Sequence, residues 1–451
     1  MQRALVGVLP AVMVGAALAA MAAAPPGRGA WRSAEGIFQA TLAAATSCET
    51  LATALPNVTI ASAQTVGAGA FTPPPAPARG QAAQTPGPAP AAGGARGGGS
   101  GGSSFADLPA FCRVRGTIRT SGTSSVRFEV WMPVSGWNGN FLSNGFAFYG
   151  GTMNPGPLAN AIRRGYATAT TDLGGDGTPS AAYLTGHPEA LADWNERGWH
   201  ETTLTAKALI AAFYGSPPKV SYWEACGGGT RQGLKAIARF PADYDALAGG
   251  GLSNGTTFFT FAQIWQWEAT HKDPASLIPR EKLPLLHDAA LEACDARDGI
   301  KDGVIQDPEH CRFDPGALQC QAADGPGCLT AAQVEAARKL YAPVINPRTR
   351  ETISGPLMPG SELSWNASPS PAPGGFAADF FRYLVFQDPG WDYTKRPINY
   401  DTDVALANRP EIGAISAVEP DLGPFLRRGG KSYMSSTDRP LTCCSNNRMP
   451  S

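Results

Sequence analysis

Two stretches of this 451-residue chain hold residue types at spacings that could do chemistry. The first is Cys226-Gly227-Gly228-Gly229, set between Val220-Ser221-Tyr222-Trp223 and a helix-like run from Arg231 to Arg239. A glycine-rich corner between a strand and a helix serves two chemistries. In the pattern G-x-S-x-G it lifts a nucleophilic serine on a strained turn, with backbone N–H groups beside it. In the dinucleotide pattern, the N–H groups and the helix N-terminus hold a pyrophosphate. Gly227-x-Gly229 matches the second loosely, and no acidic residue ends the following strand, where a ribose would need it. The second stretch is Asp295-x-x-Asp298-Gly299-Ile300-x-Asp302-Gly303-Val304. Three carboxylates, two of them followed by glycine, put hard oxygen ligands on a compact loop, as Ca²⁺ prefers. The register is not that of an EF-hand, and an ordinary acidic turn has the same spacing.

The elements around the corner must position it. Val220 to Trp223 is rich in aromatic and β-branched residues and reads as a short buried strand. Leu234, Ile237 and Ala238 mark one face of the helix, and Pro241 ends it. Tyr244 to Ala248 leads to a second glycine cluster. Strand, turn, helix and strand form one unit of a parallel α/β sheet. Upstream, Ser125–Pro133 and Gly165–Asp172 read as further strands, the second ending in a carboxylate that suits a structural role. His200 opens a helix, where a hydrogen-bonded histidine is the plain reading.

The residues around the corner resemble the tannase/feruloyl esterase family of secreted α/β-hydrolases. Cys226, Gly229, Arg231-Gln232-Gly233-Leu234, Arg239-Phe240-Pro241 and Asp243-Tyr244-Asp245 match its elbow and helix. So do Trp137-Asn138-Gly139, Gly165-Tyr166-Ala167-Thr168-Ala169, His200 and Asp388-Pro389-x-Trp391-Asp392. The resemblance implies hydrolysis of small phenolic-acid esters through an acyl-serine, but the nucleophile position is Gly227. Gly228, with Asn144 and Gly145 of the loop after the preceding strand, would supply the oxyanion site; a plain glycine turn is the other reading of that loop. The family's lid loop carries calcium. The match implies ligation by Asp295, Asp298 and Asp302, with backbone oxygens of Ile300 and Val304. It implies bridges Cys48–Cys112, Cys294–Cys311 and Cys320–Cys328. The family's elbow cysteine bridges a C-terminal His-Cys pair that this sequence does not contain, so Cys226 is expected to keep its thiol.

The fold expected is α/β, an α/β-hydrolase with an inserted lid and with its C-terminal core strands missing. Residues 1–24 read as a signal peptide, with a membrane anchor as the alternative. Residues 25–65 are a cysteine-bearing segment with a short helix and loop, and 66–104 a low-complexity linker. The core occupies 105–253, the lid 254–400, the return to the core 401–431, and a polar tail 432–451. After Gly429-Gly430-Lys431 the family pattern stops; the last histidine is His310 and the last carboxylate Asp438. An abrupt change of this kind is what a shifted reading frame produces. Cys226, Thr230 and Ser221 are the substitute nucleophiles, none with a histidine nearby in sequence. The expected outcome is a degenerate esterase, or a non-catalytic secreted binding protein that keeps the pocket. Net charge is −1 with 16% charged residues, which gives no basis for a nucleic-acid partner. No run after the first 24 residues is long enough to span a membrane. Nine cysteines fit an oxidising compartment, secreted or periplasmic.

Overall fold

The computed structural model describes residues 47–51, 55–73, 105–145, 149, 151, 153–175, 180–365, 372–418 and 420–435. The signal segment, most of the linker, Asp438, Cys443 and Cys444 lie outside the described residues. The strands are β1 (Val58–Val66), β2 (Phe111–Arg119), β3 (Ser125–Pro133), β4 (Asn140–Asn144), β5 (Ala167–Thr171), β6 (Val220–Cys226) and β7 (Ala246–Gly250). Next come a small hairpin, β8 (Val344–Ile345) and β9 (Thr352–Ser354), and then β10 (Lys431–Ser435). Eight of them form one mixed sheet in the order β1-β2-β3-β5-β4-β6-β7-β10. β1, β2, β3 and β5 pair antiparallel; β5, β4, β6, β7 and β10 pair parallel.

Helices carry the parallel crossovers. α1 (Pro155–Arg163) joins β4 to β5; α2 (Pro188–Ala192) and α3 (Gly198–Tyr214) join β5 to β6; α4 (Gly228–Arg239) joins β6 to β7. α1 starts where Asn154 accepts the Gly156 N–H and proline fills the first turn. α3 stops at Gly215, whose φ of 73° is the left-handed end glycine allows. All five residues of β5 are buried, as expected of an interior strand covered on both faces. Trp131, Trp194, Trp223, Tyr149 and Tyr244 are among the largest fully buried side chains.

Between β7 and β10 the chain is mainly helical. It contains α5 (Thr256–His271), α6 (Leu283–Cys294), α7 (Ala331–Leu340), the β8–β9 hairpin and α8 (Gly375–Asp379). Ile278, Leu283, Leu286, Leu329, Val334 and Leu340 build a second core there, separate from that of the sheet.

Three boundaries differ from the sequence reading. The segment expected as helix and loop holds β1, pinned to β2 by Thr65 opposite Cys112 and by the Cys48–Cys112 disulfide. Its burial alternation is weak and a bulge between Ile60 and Ser62 breaks its period, so it lacks a strand's usual signature. The linker begins later than residue 66, because Phe71 is buried against Trp131 at 4.6 Å between ring centroids. The polar tail is not structureless from 432: Lys431–Ser435 adds in parallel to β7 as β10, so a core strand expected to be missing is present. Tyr433 is 62% exposed, so backbone pairing holds this strand and hydrophobic pattern gives no sign of it.

Candidate active site at the β6–α4 corner

Strand order places the site. The chain runs from β4 to β5 on one side of β4, then returns to lay β6 on the other. Such a reversal opens a crevice at the C-terminal ends of the strands, where α/β sheets bind ligands. Here those ends are Asn144 and Glu224, opposite each other in the register, followed by the glycine loop and the elbow.

Gly227 sits at the apex of the elbow with φ 59° and ψ −125°. A side chain there is strained, yet a Cβ would meet no atom within 4 Å. Main-chain bonds hold the turn: the Gly227 N–H donates to Gly250 O at 2.9 Å, and the Thr230 N–H to Gly227 O at 3.0 Å. Thr230, which stands where the resemblance expects glycine, donates its hydroxyl proton to the Ala225 and Gly250 carbonyls at 3.1 and 2.9 Å. It thus ties the ends of β6 and β7 together, a role that sequence reasoning did not find.

Gly228 is the first residue of α4. Gly145 lies against the elbow: a Cβ on it would stand 2.6 Å from Gly229 O, and one on Gly229 would stand 2.7 Å from Gly145 C. The two backbones touch, which is why both are glycine. Asn144 donates its side-chain N–H to Glu224 O at 3.2 Å, and the Trp223 indole donates to Gly229 O at 3.0 Å. The structure therefore brings Asn144, Gly145, Gly227 and Gly228 together. Cys226 is half-buried beside Gly250.

α4 is anchored by two buried cations. Arg231 lies over the Trp194 ring at 5.1 Å and donates to Ile415 O at 2.7 Å; burial lowers its pKa to about 10. Lys235 donates to Asn195 Oδ1 at 2.8 Å and to Ala414 O, with Glu196 at 3.7 Å; burial pushes its pKa down to about 8. Across the loop that follows β4, Tyr149 stacks on Phe376 of α8 at 4.3 Å and donates its hydroxyl proton to Phe376 O at 3.0 Å.

Asp172 is structural. Its Oδ1 accepts the Arg127 and Gly174 N–H groups at 2.8 and 2.9 Å, and its Oδ2 the Arg127 Nε–H at 2.5 Å. His200 pairs through Nδ1 with buried Asp243 at 2.8 Å and stacks on Phe240 at 3.8 Å. Asp243 precedes the start of β7, and Ala246 is level with Tyr222. The elbow follows Cys226, four residues further along β6, about 13 Å away at ~3.3 Å per residue. His200 thus serves the opposite end of the strands.

Burial disfavours the His200 imidazolium, but the Asp243 carboxylate outweighs it and the pKa is raised above 6.5. A base with a raised folded pKa contributes stability in full below about pH 6.5, and that contribution is lost as pH rises through the folded pKa. Unfolding in urea should therefore show this stability at pH 5.5 and its progressive loss as the pH is raised above 6.5 through the folded pKa. In Asp243→Asn that slope should vanish, and an NMR titration of His200 should move down.

In the acidic loop, buried Asp295 accepts the Asp302 and Gly303 N–H groups at 3.3 and 3.0 Å. Asp298 and Asp302 accept the N–H groups of Ile300 and Val304 at 2.8 and 3.1 Å. Gly299 and Gly303 have φ of 92° and 80°, which makes the loop tight. Among the described residues no three His, Cys, Asp or Glu side chains converge as a metal-sized group. The donor types nevertheless fit calcium, since an engaged carboxylate keeps further lone pairs. All three bridges expected from the resemblance are present: Cys48–Cys112, Cys294–Cys311 and Cys320–Cys328. No helix among the described residues is long and apolar enough to cross a membrane.

Comparison with known proteins agrees with this architecture. The family model described as tannase and feruloyl esterase matches residues 112–440, which carries the match past Lys431. An uncharacterized esterase of Xanthomonas campestris pv. campestris is 36% identical over 88% of this chain and 68% of its own length. A probable feruloyl esterase B-1 of Aspergillus oryzae is 31% identical over 71% of this chain and 59% of its own length. The chain thus spans about six tenths of the length of that fungal relative. The crystal structure of feruloyl esterase B from Aspergillus oryzae superposes with a TM-score of 0.72 at 27% identity, covering 85% of this chain and 72% of that one. The family model and the Xanthomonas relative together settle the assignment: the chain belongs to the tannase and feruloyl esterase family of carboxylic ester hydrolases.

Proposed function

We propose that this chain carries the scaffold of a serine-type hydrolase of phenolic-acid esters whose nucleophile position is held by Gly227, so that it turns over little or no ester. One observation carries this reading: Gly227 keeps the φ and ψ of a nucleophile elbow and the open space above it, with no side-chain oxygen. The Gly228 and Gly145 N–H groups are the candidate oxyanion donors. The crevice that the strand order opens beside the elbow supports a second reading, a secreted or periplasmic protein that binds phenolic esters without cleaving them. The three disulfides suit such a compartment. The test is to follow acid release from methyl ferulate and methyl gallate beside the melting temperature with each ester. Rapid release refutes the degenerate reading. A raised melting temperature without release supports the binder, and neither effect means that both functions are lost.

The acidic loop we assign to calcium, held by the Asp295, Asp298 and Asp302 carboxylates and the Ile300 and Val304 carbonyls, as a brace between α6 and the Cys294–Cys311 bridge. At a hundredfold excess over Kd, the ion should add about 2.7 kcal/mol of stability. Melting in calcium against melting in chelator measures it. Asp298→Asn with Asp302→Asn should abolish the difference; no difference in the parent chain would refute the assignment.

A further inference from the structure

The antiparallel half of the sheet has a polar face. Along β2 and β3 side chains alternate between two faces. Ile118, Val126 and Phe128 are buried, while Thr117 is half-buried and Ser125 and Arg127 are exposed. Thr117 and Arg127 stand directly opposite each other in the register. The segment that leads into α2, with Gly186, His187, Pro188 and Glu189, closes over them and leaves a cavity of about 650 Å³. That volume is within the range of about 300–1,000 Å³ typical of small-molecule sites. The walls are preset. Arg127 Nε donates to Asp172 Oδ2 at 2.5 Å, and buried Arg197 donates to Glu189 Oε2 at 2.6 Å and to Glu189 O at 2.8 Å. Ser124 donates its hydroxyl proton to buried Asp193 at 2.5 Å.

Each carboxylate and guanidinium lining the cavity is thus already paired, Arg127 with Asp172 and Glu189 with Arg197. The hydroxyls of Thr117, Thr123 and Ser125 and the ring of His187 face it with no hydrogen-bond partner among the described residues. Each hydroxyl offers one donor and two acceptor positions, and a paired carboxylate keeps spare lone pairs. None of the lining residues belongs to β6, α4, the lid or residues 144–151, so the cavity is distinct from the elbow.

From this arrangement we infer a second ligand site on the β2–β3 face, for a neutral polyhydroxylated ring, a single sugar unit either free or at the end of a glycan. Its hydroxyls both donate and accept, as the wall requires, and its C–H face suits the exposed Pro188 ring. An apolar guest would strip water from the threonine and serine hydroxyls without replacing it, and an ion would find each opposite charge engaged. The site needs no chemistry at residue 227 and stands independently of the ester reading.

The probes are methyl glucoside, methyl galactoside, methyl mannoside and methyl xyloside, which are neutral and have no ester to cleave. Saturation-transfer NMR on the whole chain should give a saturable isotherm with at least one. Hydrogen exchange on that wild-type complex should show protection of residues 115–127 and 186–190. Glucuronate and cyclohexanol should bind more weakly. Equal affinity for the matching trisaccharide supports a one-unit site, and higher affinity supports a glycan end. Thr117→Val with Ser125→Ala removes two hydroxyls at strand positions and should weaken binding about tenfold; Ser125→Trp should block it. Three results would overturn the inference: no saturable binding of any probe, protection at 226–230 or in the lid in place of the β2–β3 face, or unchanged affinity in a folded double variant. If the variants do not fold, the wild-type exchange map decides alone.

Discussion

Incubated with methyl ferulate, the purified chain should release acid about a millionfold more slowly than an esterase with an intact serine and histidine, because removing either partner alone costs about that much. Preset N–H donors and binding still leave a residual acceleration of about 10³–10⁴ over water in such sites. Gly227→Ser tests the cause. Its hydroxyl would enter open space without a clash. Among the described residues no histidine is placed beside it: His200, His287 and His310 pair with Asp243, Glu362 and Asp307, His271 ends α5, and His187 precedes α2. Since the parts of a triad act as a unit, the serine alone should change turnover by less than about tenfold. It should also cost about 1–3 kcal/mol of stability, read by urea unfolding, because φ 59° with ψ −125° strains any residue but glycine. Fast release by the parent chain would point to Cys226 or Thr230 as the attacking group. Inhibition by iodoacetamide would separate the two.

The largest effect on stability should come from Cys48→Ala with Cys112→Ala. The bridge joins residues 64 apart in sequence and fastens β1 to the sheet. Loop-closure entropy puts its contribution at about 4 kcal/mol. The same calculation gives about 2.5 kcal/mol for Cys320–Cys328, whose separation is 8. Denaturant unfolding of the two double variants should preserve that order. A Cys48/Cys112 variant as stable as the parent would mean that β1 docks by strand pairing alone.

The elbow was legible because its signal is local. A strand rich in aromatic and β-branched residues, three consecutive glycines and a patterned helix occupy 20 residues, from Val220 to Arg239. The disulfides came with the family resemblance. β1 and β10 were not legible because backbone pairing holds them more than side chains do; Lys431, Ser432 and Tyr433 on β10 are exposed. The placing of Phe71 rests on partners 34 to 60 residues away, Phe105 and Trp131. At the site, glycine in the sequence could not say that Gly145 and Gly229 touch, since that contact joins two crossovers.

The Tyr149–Phe376 stack is a seam between the loop that follows β4 and the lid. Tyr149 belongs to that loop, and Phe376 to α8. A ligand that moves one of these rings must therefore move the other, or break their stack and hydrogen bond. The lid and the loop beside the elbow are in this sense one mechanical part.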